Sequence, residues 1–385
     1  MTADMRIGRW FWTLVALVAA GVLFFALVVP RSSQRVDVSG WRDLAAVTVA
    51  GAYHVHTTRS DGLGDKAAVA AAARRAGLQF VIVTDHGDGT RAPDAPAYVD
   101  GVLCLDGVEI STDNGHYVAL DMPRAPYPLG GSGDAVIRDV HRFGGFGVIA
   151  HPDSPKSALR WTGSYEGIDG IEWLNLDSEW RRDSRVRLVR AGLGYLIRPG
   201  PALATLFDRP ETLARWDGLA ARRQTVGLAA VDAHGGIQGS PAGGHEMGIS
   251  GFPSYEASFK SITNRVVLDA PLTGDAPADA RAVYSAIRHG RVFSTIDAVA
   301  SPALLDFHLE SAAGRVVMGG TLATVGAATI VARAPMPAAS EMGLLRDGRE
   351  VARSSTGLLR FDATQTKGAY RIEIHVPHAP GNPPI

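Results

Sequence analysis

The stretch GAYHVHTTRSDG, residues 51–62, places two histidines and an aspartate at the end of an apolar run. His54 and His56 are two residues apart, and Asp61 follows five residues after His56. In an extended strand, side chains two residues apart point to the same side. One strand can therefore present both imidazoles to one point, with the carboxylate arriving from the turn beyond. The stretch predicts either half of a metal site or a polar strand end that binds nothing.

The sequence around this stretch alternates between two textures from residue 47 to residue 298. Short, wholly apolar runs are typical of buried strands, and Ala- and Arg-rich amphipathic stretches are typical of helices. A helix predicted at 65–78 is followed by a strand at 79–83, and a helix at 132–145 by a strand at 146–150. Apolar strands that alternate with helices indicate an α/β fold with parallel pairing. About seven such units favour a closed or distorted β/α barrel over an open sheet.

The N-terminal part of the chain contains a long uncharged segment, residues 10–29. At about 1.5 Å per residue, a helix of this length spans the roughly 30 Å hydrocarbon layer of a bilayer. We predict an uncleaved transmembrane anchor here, with a cleaved signal peptide as the alternative. A tail at 1–9 would precede it and a polar linker at 30–46 would follow. The protein would then be a single-pass protein of the cell membrane, with its main domain outside the cytoplasm.

The C-terminal part, residues 299–385, has a different texture. Short strands recur about every ten residues without helical patterns between them, and Asp347-Gly348 predicts a tight hairpin turn. This spacing favours a small β-sandwich-like module.

Composition narrows the choice of partners and metal ligands. The 38 basic and 39 acidic residues give a net charge of -1, so no excess of positive charge points to a nucleic acid. The single cysteine, Cys104, excludes both an internal disulfide and a cysteine-based zinc site. Any metal ligands must therefore be histidines and carboxylates.

Potential ligands recur at the carboxyl ends of the predicted strands, the edge at which parallel α/β proteins build their sites. His86 follows the apolar run FVIV, His151 follows FGVIA, and Asp232 follows GLAAV. The candidate metal ligands are His54, His56, Asp61, His86, Glu109, His116, His151, Asp232 and His234. One zinc ion takes about four ligands, so this set predicts two or three divalent ions. Nitrogen and oxygen donors suit zinc, manganese or iron.

Six motifs in order, HVHTTRSDG, VTDHGD, GVEIS, GHYVAL, IAHPD and VDAHG, resemble those of the PHP family, named for polymerase and histidinol phosphatase domains. The resemblance covers about residues 50–295. It implies a distorted (β/α)7 barrel with a two- or three-metal centre at the carboxyl ends of the strands.

The resemblance also implies how the ligands are shared among the ions. The first ion would be held by His54, His56, Glu109 and Asp232. The second would be held by Glu109, His116 and His151, with Glu109 bridging the two. The third would be held by Asp61, His86 and His234, which are also the predicted catalytic side chains. The C-terminal module resembles an appended domain of membrane-anchored or secreted members.

We predict a metal-dependent phosphoesterase, a phosphatase or phosphodiesterase, that acts on a small ester. Close metal ions lower the pKa of a bridging water, which then attacks as hydroxide. An alternative is a carboxylic ester or carbamate hydrolase that uses the same site, and a scarcity of Arg and Lys in the pocket would favour it. A third interpretation is a non-catalytic surface binding protein.

Two further features have open interpretations. Asp85, beside His86, would either orient a ligand imidazole or cap the end of its strand. The Arg-rich segment 178–190 would either form a lid that binds phosphate or a structural amphipathic helix.

Overall fold

The structure, a computed structural model, describes residues 2–208, 210–237, 249–323, 326–364, 366–377 and 379. Its helices are α1 (Thr2–Val28), α2 (Arg42–Val47), α3 (Lys66–Arg75), α4 (Gly133–Arg142), α5 (Leu176–Arg182), α6 (Arg185–Tyr195), α7 (Pro199–Ala204), α8 (Thr212–Ala220), α9 (Tyr255–Phe259) and α10 (Ala276–Arg288). Its first strands are β1 (Gln34–Arg35), β2 (Thr48–Val55), β3 (Phe80–Val83), β4 (Ala97–Val99), β5 (Val102–Asp106), β6 (Val108–Thr112), β7 (Gly115–Leu120), β8 (Phe146–Ile149), β9 (Gly170–Asn175), β10 (Val226–Ala230) and β11 (Gly236–Ile237). The remaining strands are β12 (Ile249–Ser250), β13 (Thr263–Val267), β14 (Val292–Thr295), β15 (Ala300–Ser301), β16 (Asp306–Ser311), β17 (Gly314–Val317), β18 (Ala328–Arg333), β19 (Glu341–Arg346), β20 (Arg349–Ser354), β21 (Leu358–Asp362) and β22 (Tyr370–His375).

Helix α3 shows how the local sequence produces these elements. The Asp65 side chain caps its first turn by accepting a hydrogen bond from the Ala68 N–H. Its buried face is mostly alanine, which brings the helix close to the sheet. Gly77, at φ 78°, follows the last turn and lets the chain reverse into β3. The predicted helix at 65–78 and strand at 79–83 are therefore present, with shorter bounds.

Two mixed sheets form the larger part of the molecule. The first has the strand order β14-β13-β2-β3-β5-β4, in which β2, β3 and β5 are parallel. The second has the order β10-β9-β8-β7-β6, in which β8, β9 and β10 are parallel. Two buried apolar clusters, one around Phe80 and Leu228 and one around Val81 and Phe207, hold these layers together.

The α/β class was predicted correctly, but the distorted (β/α)7 barrel was not: among the described residues the strands form several sheets and no closed barrel. Antiparallel pairs interrupt the parallel order, because β6, β7 and β8 form a meander and β13 lies antiparallel to β2. Between the two sheets, the described residues form isolated bridges, Val55 with Ala233 and His86 with Glu109. These bridges nevertheless bring the carboxyl ends of the parallel strands together.

The predicted transmembrane anchor at 10–29 is also wrong. No helix within the described part of the chain has both the length and the apolar character that a membrane span requires. An uncharged run is not sufficient, because a span needs about 20 consecutive apolar helical residues. The predicted membrane location and membrane partner depended on this anchor and are not supported.

Two antiparallel sheets, β17-β16-β18-β21 and β20-β19-β22, follow in the C-terminal part. They share an apolar core that includes Ile330, Leu344 and Leu359. Asp347 and Gly348 connect β19 to β20 at φ 49° and 79°, the positive values that a two-residue hairpin turn requires. The predicted hairpin is therefore confirmed.

Candidate metal centre

The nine predicted ligands lie at the strand ends where the two sheets meet. His54 is the second-to-last residue of β2, Glu109 is in β6, and His116 is in β7. His56 follows β2, His86 follows β3, and His151 follows β8. Both Asp232 and His234 follow β10. Asp61 comes from the loop after β2. The structure brings all nine into one connected set of contacts.

Glu109 is the centre of this set and is almost fully buried. Its two carboxylate oxygens contact five imidazoles. From Oε2 the distances are 3.2 Å to His54 Nε2, 3.3 Å to His56 Nε2 and 3.2 Å to His86 Nδ1. From Oε1 they are 2.7 Å to His116 Nδ1 and 2.8 Å to His151 Nε2. A carboxylate in this position can bridge two ions.

The two aspartates connect the remaining members. Asp232 Oδ1 is 3.6 Å from His54 Nε2, 3.3 Å from His56 Nε2 and 3.8 Å from His234 Nδ1. The Asp61 carboxylate is 3.3 Å from His56 Nδ1, 3.5 Å from His86 Nε2 and 3.2 Å from His234 Nε2. Each aspartate therefore faces three imidazoles.

Four overlapping groups have donor atoms that all lie within 4.8 Å of one another and could hold a metal ion. They are His54–His56–Asp232, His54–Glu109–His151, His56–Asp61–His86 and His86–Glu109–His116. The first contains three of the four ligands predicted for the first ion. Each of the other three groups combines ligands that were predicted for different ions. The geometry therefore supports adjacent metal sites, while the division of ligands among individual ions stays a prediction.

Backbone strain accompanies three of these positions. His54, His151 and Asp232 have φ of 68°, 29° and 44°, in the left-handed region that non-glycine residues rarely adopt. The β2–β3 register shifts between Tyr53 and Val55, on either side of His54. Such conformations cost about 1–3 kcal/mol each and persist where surrounding contacts enforce them, most often at functional sites.

The charges of the cluster stabilise one another. Burial alone would raise the pKa of Glu109, but the imidazoles, His54 first, hold it well below its ordinary value. Asp232 behaves in the same way, with His54 again the strongest influence on its pKa after burial. Burial would lower the pKa of His56, but Asp232 and Glu109 raise it to about 10. A protonated His56 thus balances the ionised carboxylates, and a bound cation can take over this balance when the imidazole loses its proton.

One buried atom shows that the residues fit a metal ion. His54 Nε2 is buried without a hydrogen-bond partner of suitable geometry among the described atoms, although it faces Glu109 and Asp232. Buried polar nitrogens are rarely left without a partner. Imidazole nitrogens and carboxylate oxygens are both ligands that zinc binds, so the three groups together can hold a divalent ion.

Sequence reasoning missed two polar residues of the site, Glu172 and Asn175 on β9. Glu172 Oε1 is 2.6 Å from His54 Nδ1, and Asn175 Nδ2 donates to Asp232 Oδ2 at 3.2 Å. The available signal was a glutamate inside the apolar run DGIEWL, because an unpaired charge is costly in a buried strand.

Asp85 forms the hydrogen bonds of a capping residue at the end of its strand. It does not orient a ligand imidazole in the described structure. Its carboxylate accepts hydrogen bonds from the Thr57 N–H at 2.6 Å, the Ser60 hydroxyl at 2.6 Å and Arg59 Nε at 2.8 Å. Asp85 therefore shapes the loop that carries Asp61.

The Arg-rich segment forms α5 and α6. Three of its five arginines have carboxylate partners: Arg181 pairs with Asp177 at 2.5 Å, Arg182 with Glu179 at 2.9 Å, and Arg187 with Asp208 at 2.6 Å. Because these guanidinium groups already have carboxylate partners, the contacts support structural helices rather than a phosphate-binding lid.

Comparisons with known proteins give structural likenesses only. No family model matches the sequence, and no curated protein matches it. A two-domain protein from Bacteroides vulgatus, described as containing a predicted PHP-like metal-dependent phosphoesterase, is 12% identical with a TM-score of 0.37, over 92% of this chain and 96% of that one. A candidate metal-dependent phosphoesterase from Bifidobacterium adolescentis is 18% identical with a TM-score of 0.31, over 48% and 87%. An amidohydrolase from Chromobacterium violaceum, with bound sulfate and no metal, is 15% identical with a TM-score of 0.30, over 54% and 96%.

Proposed function

We propose that this chain is a metal-dependent hydrolase of phosphoric esters, a phosphatase or phosphodiesterase, whose nine clustered side chains hold two or three divalent ions. One observation carries the proposal: Glu109 is buried among five imidazoles, and two aspartates close the same cluster. When bound, divalent ions activate water and neutralise the charge that develops on an ester in the transition state.

The buried and the exposed side chains of the cluster would have different roles. His54, His56, Glu109 and His151 are buried, so their role is to hold ions in place. Asp61 and His86 are 35% and 36% exposed at their side chains, and His234 is 19% exposed. The substrate would approach from this open side. There Asp61, His86 and His234 are placed to orient the substrate and to hold or move a proton during ester cleavage.

A carboxylic ester or carbamate hydrolase is the second candidate. The described contacts of the nine side chains involve no Arg or Lys side chain that could bind a phosphate. Arg59, which lies on the same loop as Asp61, pairs with Asp85, Asp94 and Asp106 instead. An uncharged ester requires no such cation, so this observation favours the second candidate over an anionic substrate.

The test is hydrolysis of parallel substrate panels by purified protein that has been stripped with a chelator and reconstituted with Mn²⁺ or Zn²⁺. The panels contain phosphomonoesters, phosphodiesters, carboxylic esters and carbamates. We expect turnover of phosphoric esters that disappears on chelation and returns with metal. Turnover of carboxylic esters or carbamates alone would establish the second candidate. The absence of both metal binding and turnover would leave a non-catalytic binding protein.

A matched pair of double variants ties the activity to the site. His54→Ala with His86→Ala removes two ligands and should abolish metal-dependent turnover. His141→Ala with His289→Ala makes the same chemical change at two exposed histidines outside the cluster and should leave turnover unchanged. Phosphoester turnover that survives the first pair would contradict the proposal.

A further inference from the structure

Glu172 is a buried carboxylate that contacts His54, His151 and Asn175 at the candidate metal centre. It lies in β9, a strand buried along its whole length. Its Oε1 is 2.6 Å from His54 Nδ1. Its Oε2 accepts hydrogen bonds from the His151 N–H at 2.7 Å and from Asn175 Nδ2 at 2.8 Å. No guanidinium or ammonium group is among these contacts, so this carboxylate serves the site rather than an ordinary salt bridge.

The contact with His54 determines which ring nitrogen carries the proton. An imidazole nitrogen that faces a carboxylate at 2.6 Å donates its hydrogen to it, so the proton is on Nδ1. In the neutral ring, Nε2 then has a free lone pair. Nε2 is the nitrogen that faces Glu109 Oε2 at 3.2 Å and Asp232 Oδ1 at 3.6 Å. Glu172 therefore directs the metal-binding nitrogen of His54 toward two carboxylates.

Asn175 orients the carboxylate of Asp232 in a similar way. Its Oδ1 accepts a hydrogen bond from the Ser178 N–H at 2.9 Å, as the cap of α5, which fixes the orientation of the amide. The amide nitrogen then lies 2.8 Å from Glu172 Oε2 and 3.2 Å from Asp232 Oδ2. With Oδ2 held in this way, Asp232 turns Oδ1 toward the imidazoles of the site.

We propose that Glu172 and Asn175 are positioning residues that orient His54 and Asp232 for one ion of the centre before metal binds. This inference rests on the proposed function, because it assumes that the cluster holds metal. Outer partners of this kind are worth about 10–100-fold in metal affinity in other metal sites.

Glu172→Gln tests the proposal with little change in shape. The new amide oxygen should remain near the His151 N–H and the Asn175 amide, because both of these groups are donors. The amide NH₂ then faces His54 Nδ1, which must accept a hydrogen bond, and the imidazole proton moves to Nε2. This proton opposes metal binding. We expect zinc affinity, measured by competition with a chromophoric chelator, to fall by about 10–100-fold.

Glu179→Gln is the matched control. Glu179 is also buried but contacts Arg182 and the Asp208 N–H, outside the cluster. Its substitution should leave zinc affinity unchanged. Asn175→Asp is a second test, because it keeps the capping oxygen for Ser178 but replaces the donor between Glu172 and Asp232 with an acceptor. It should weaken zinc binding as well.

A readout on the unaltered protein keeps the proposal falsifiable if a variant fails to fold. Long-range ¹H–¹⁵N NMR of the zinc-loaded protein should show His54 with its proton on Nδ1 and the metal on Nε2. The opposite assignment would overturn the proposal. If the unaltered protein binds no zinc, the proposed function fails. If it binds zinc and Glu172→Gln binds equally tightly, only the positioning role fails.

Discussion

Two neighbouring groups of carboxylates in this molecule have different partners, imidazoles in one group and mainly guanidinium groups in the other. Glu109 is surrounded by imidazoles. Asp106, three residues earlier in the chain, is paired with Arg59 Nη2 and Arg91 Nη2, each at 2.5 Å, and accepts a hydrogen bond from the Asp94 N–H at 2.7 Å. We call the groups the Glu109 cluster, which is the nine candidate ligands, and the Arg59 network, which comprises Arg59, Lys66, Asp85, Arg91, Asp94 and Asp106.

The difference shows why one group can bind metal and the other cannot. A guanidinium keeps its proton and has no lone pair to offer, so a carboxylate paired with it is fully satisfied. An imidazole can release its proton and then donate a lone pair to a cation. The Glu109 cluster can therefore exchange protons for divalent ions, whereas the Arg59 network holds the loop that carries Asp61.

The largest effect should follow from Glu109→Gln. The substitution removes the charge that contacts five imidazoles, so adjacent ions lose their common ligand. We expect metal-dependent turnover to fall by about 1000-fold or more, beyond the 10–100-fold typical of outer partners. Steady-state kinetics at saturating Mn²⁺ measures this loss.

Glu310→Gln, at an exposed carboxylate of β16, is the control and should retain activity. If Glu109→Gln retained at least one tenth of the turnover of the unaltered protein, Glu109 would not be the shared metal ligand that separates the Glu109 cluster from the Arg59 network.

Arg59→Met tests the other side of the comparison. It leaves Asp85 without a cationic partner and Asp106 with Arg91 alone, in a largely buried setting. Breaking a buried pair costs about 3–5 kcal/mol, and partial exposure of Arg59 places the expected loss near 3 kcal/mol. Urea denaturation measures it. The folded variant should still bind the same number of metal ions. A loss of metal without a loss of stability would assign Arg59 to the site itself.

Glu179 provides a third, smaller test, because burial outweighs the opposing influence of Arg182 and Arg187 and raises its pKa to about 6. The unfolded value is near 4.5, so the folded protein holds this proton more tightly. This group's contribution therefore makes stability fall as pH rises from about 4.5 to about 6. The expected change is about 2 kcal/mol.

In Glu179→Gln this contribution should vanish. The difference in unfolding free energy between variant and unaltered protein should therefore shift by about 2 kcal/mol in favour of the variant between pH 4 and pH 7. Urea denaturation at the two pH values measures the shift. An unchanged difference would mean that folding does not raise the pKa of Glu179.

Several positions of the candidate site could be predicted because they depend on local rules. Polar residues directly after apolar runs fall at one edge when the strands are parallel, and β2, β3 and β10 obey this rule. The role of Glu172 was not predicted, because the sequence of a fully buried strand does not indicate which residue its polar side chain will contact. That neighbour, His54, is 118 residues away in the chain.

The closed barrel could not be judged from the sequence, because closure depends on which strands pair. The apolar content of β6 and β7 is compatible with either pairing, and the short turn at Asp113–Asn114 makes them an antiparallel hairpin.

The central claim is that the Glu109 cluster holds two or three divalent ions. Anomalous X-ray scattering at the zinc edge, from crystals grown with zinc, tests it most directly. We predict two or three anomalous peaks, each coordinated by imidazoles and carboxylates of the nine side chains, with Glu109 contacting at least two of them. No peak within the cluster, or zinc bound only elsewhere on the molecule, would contradict this account.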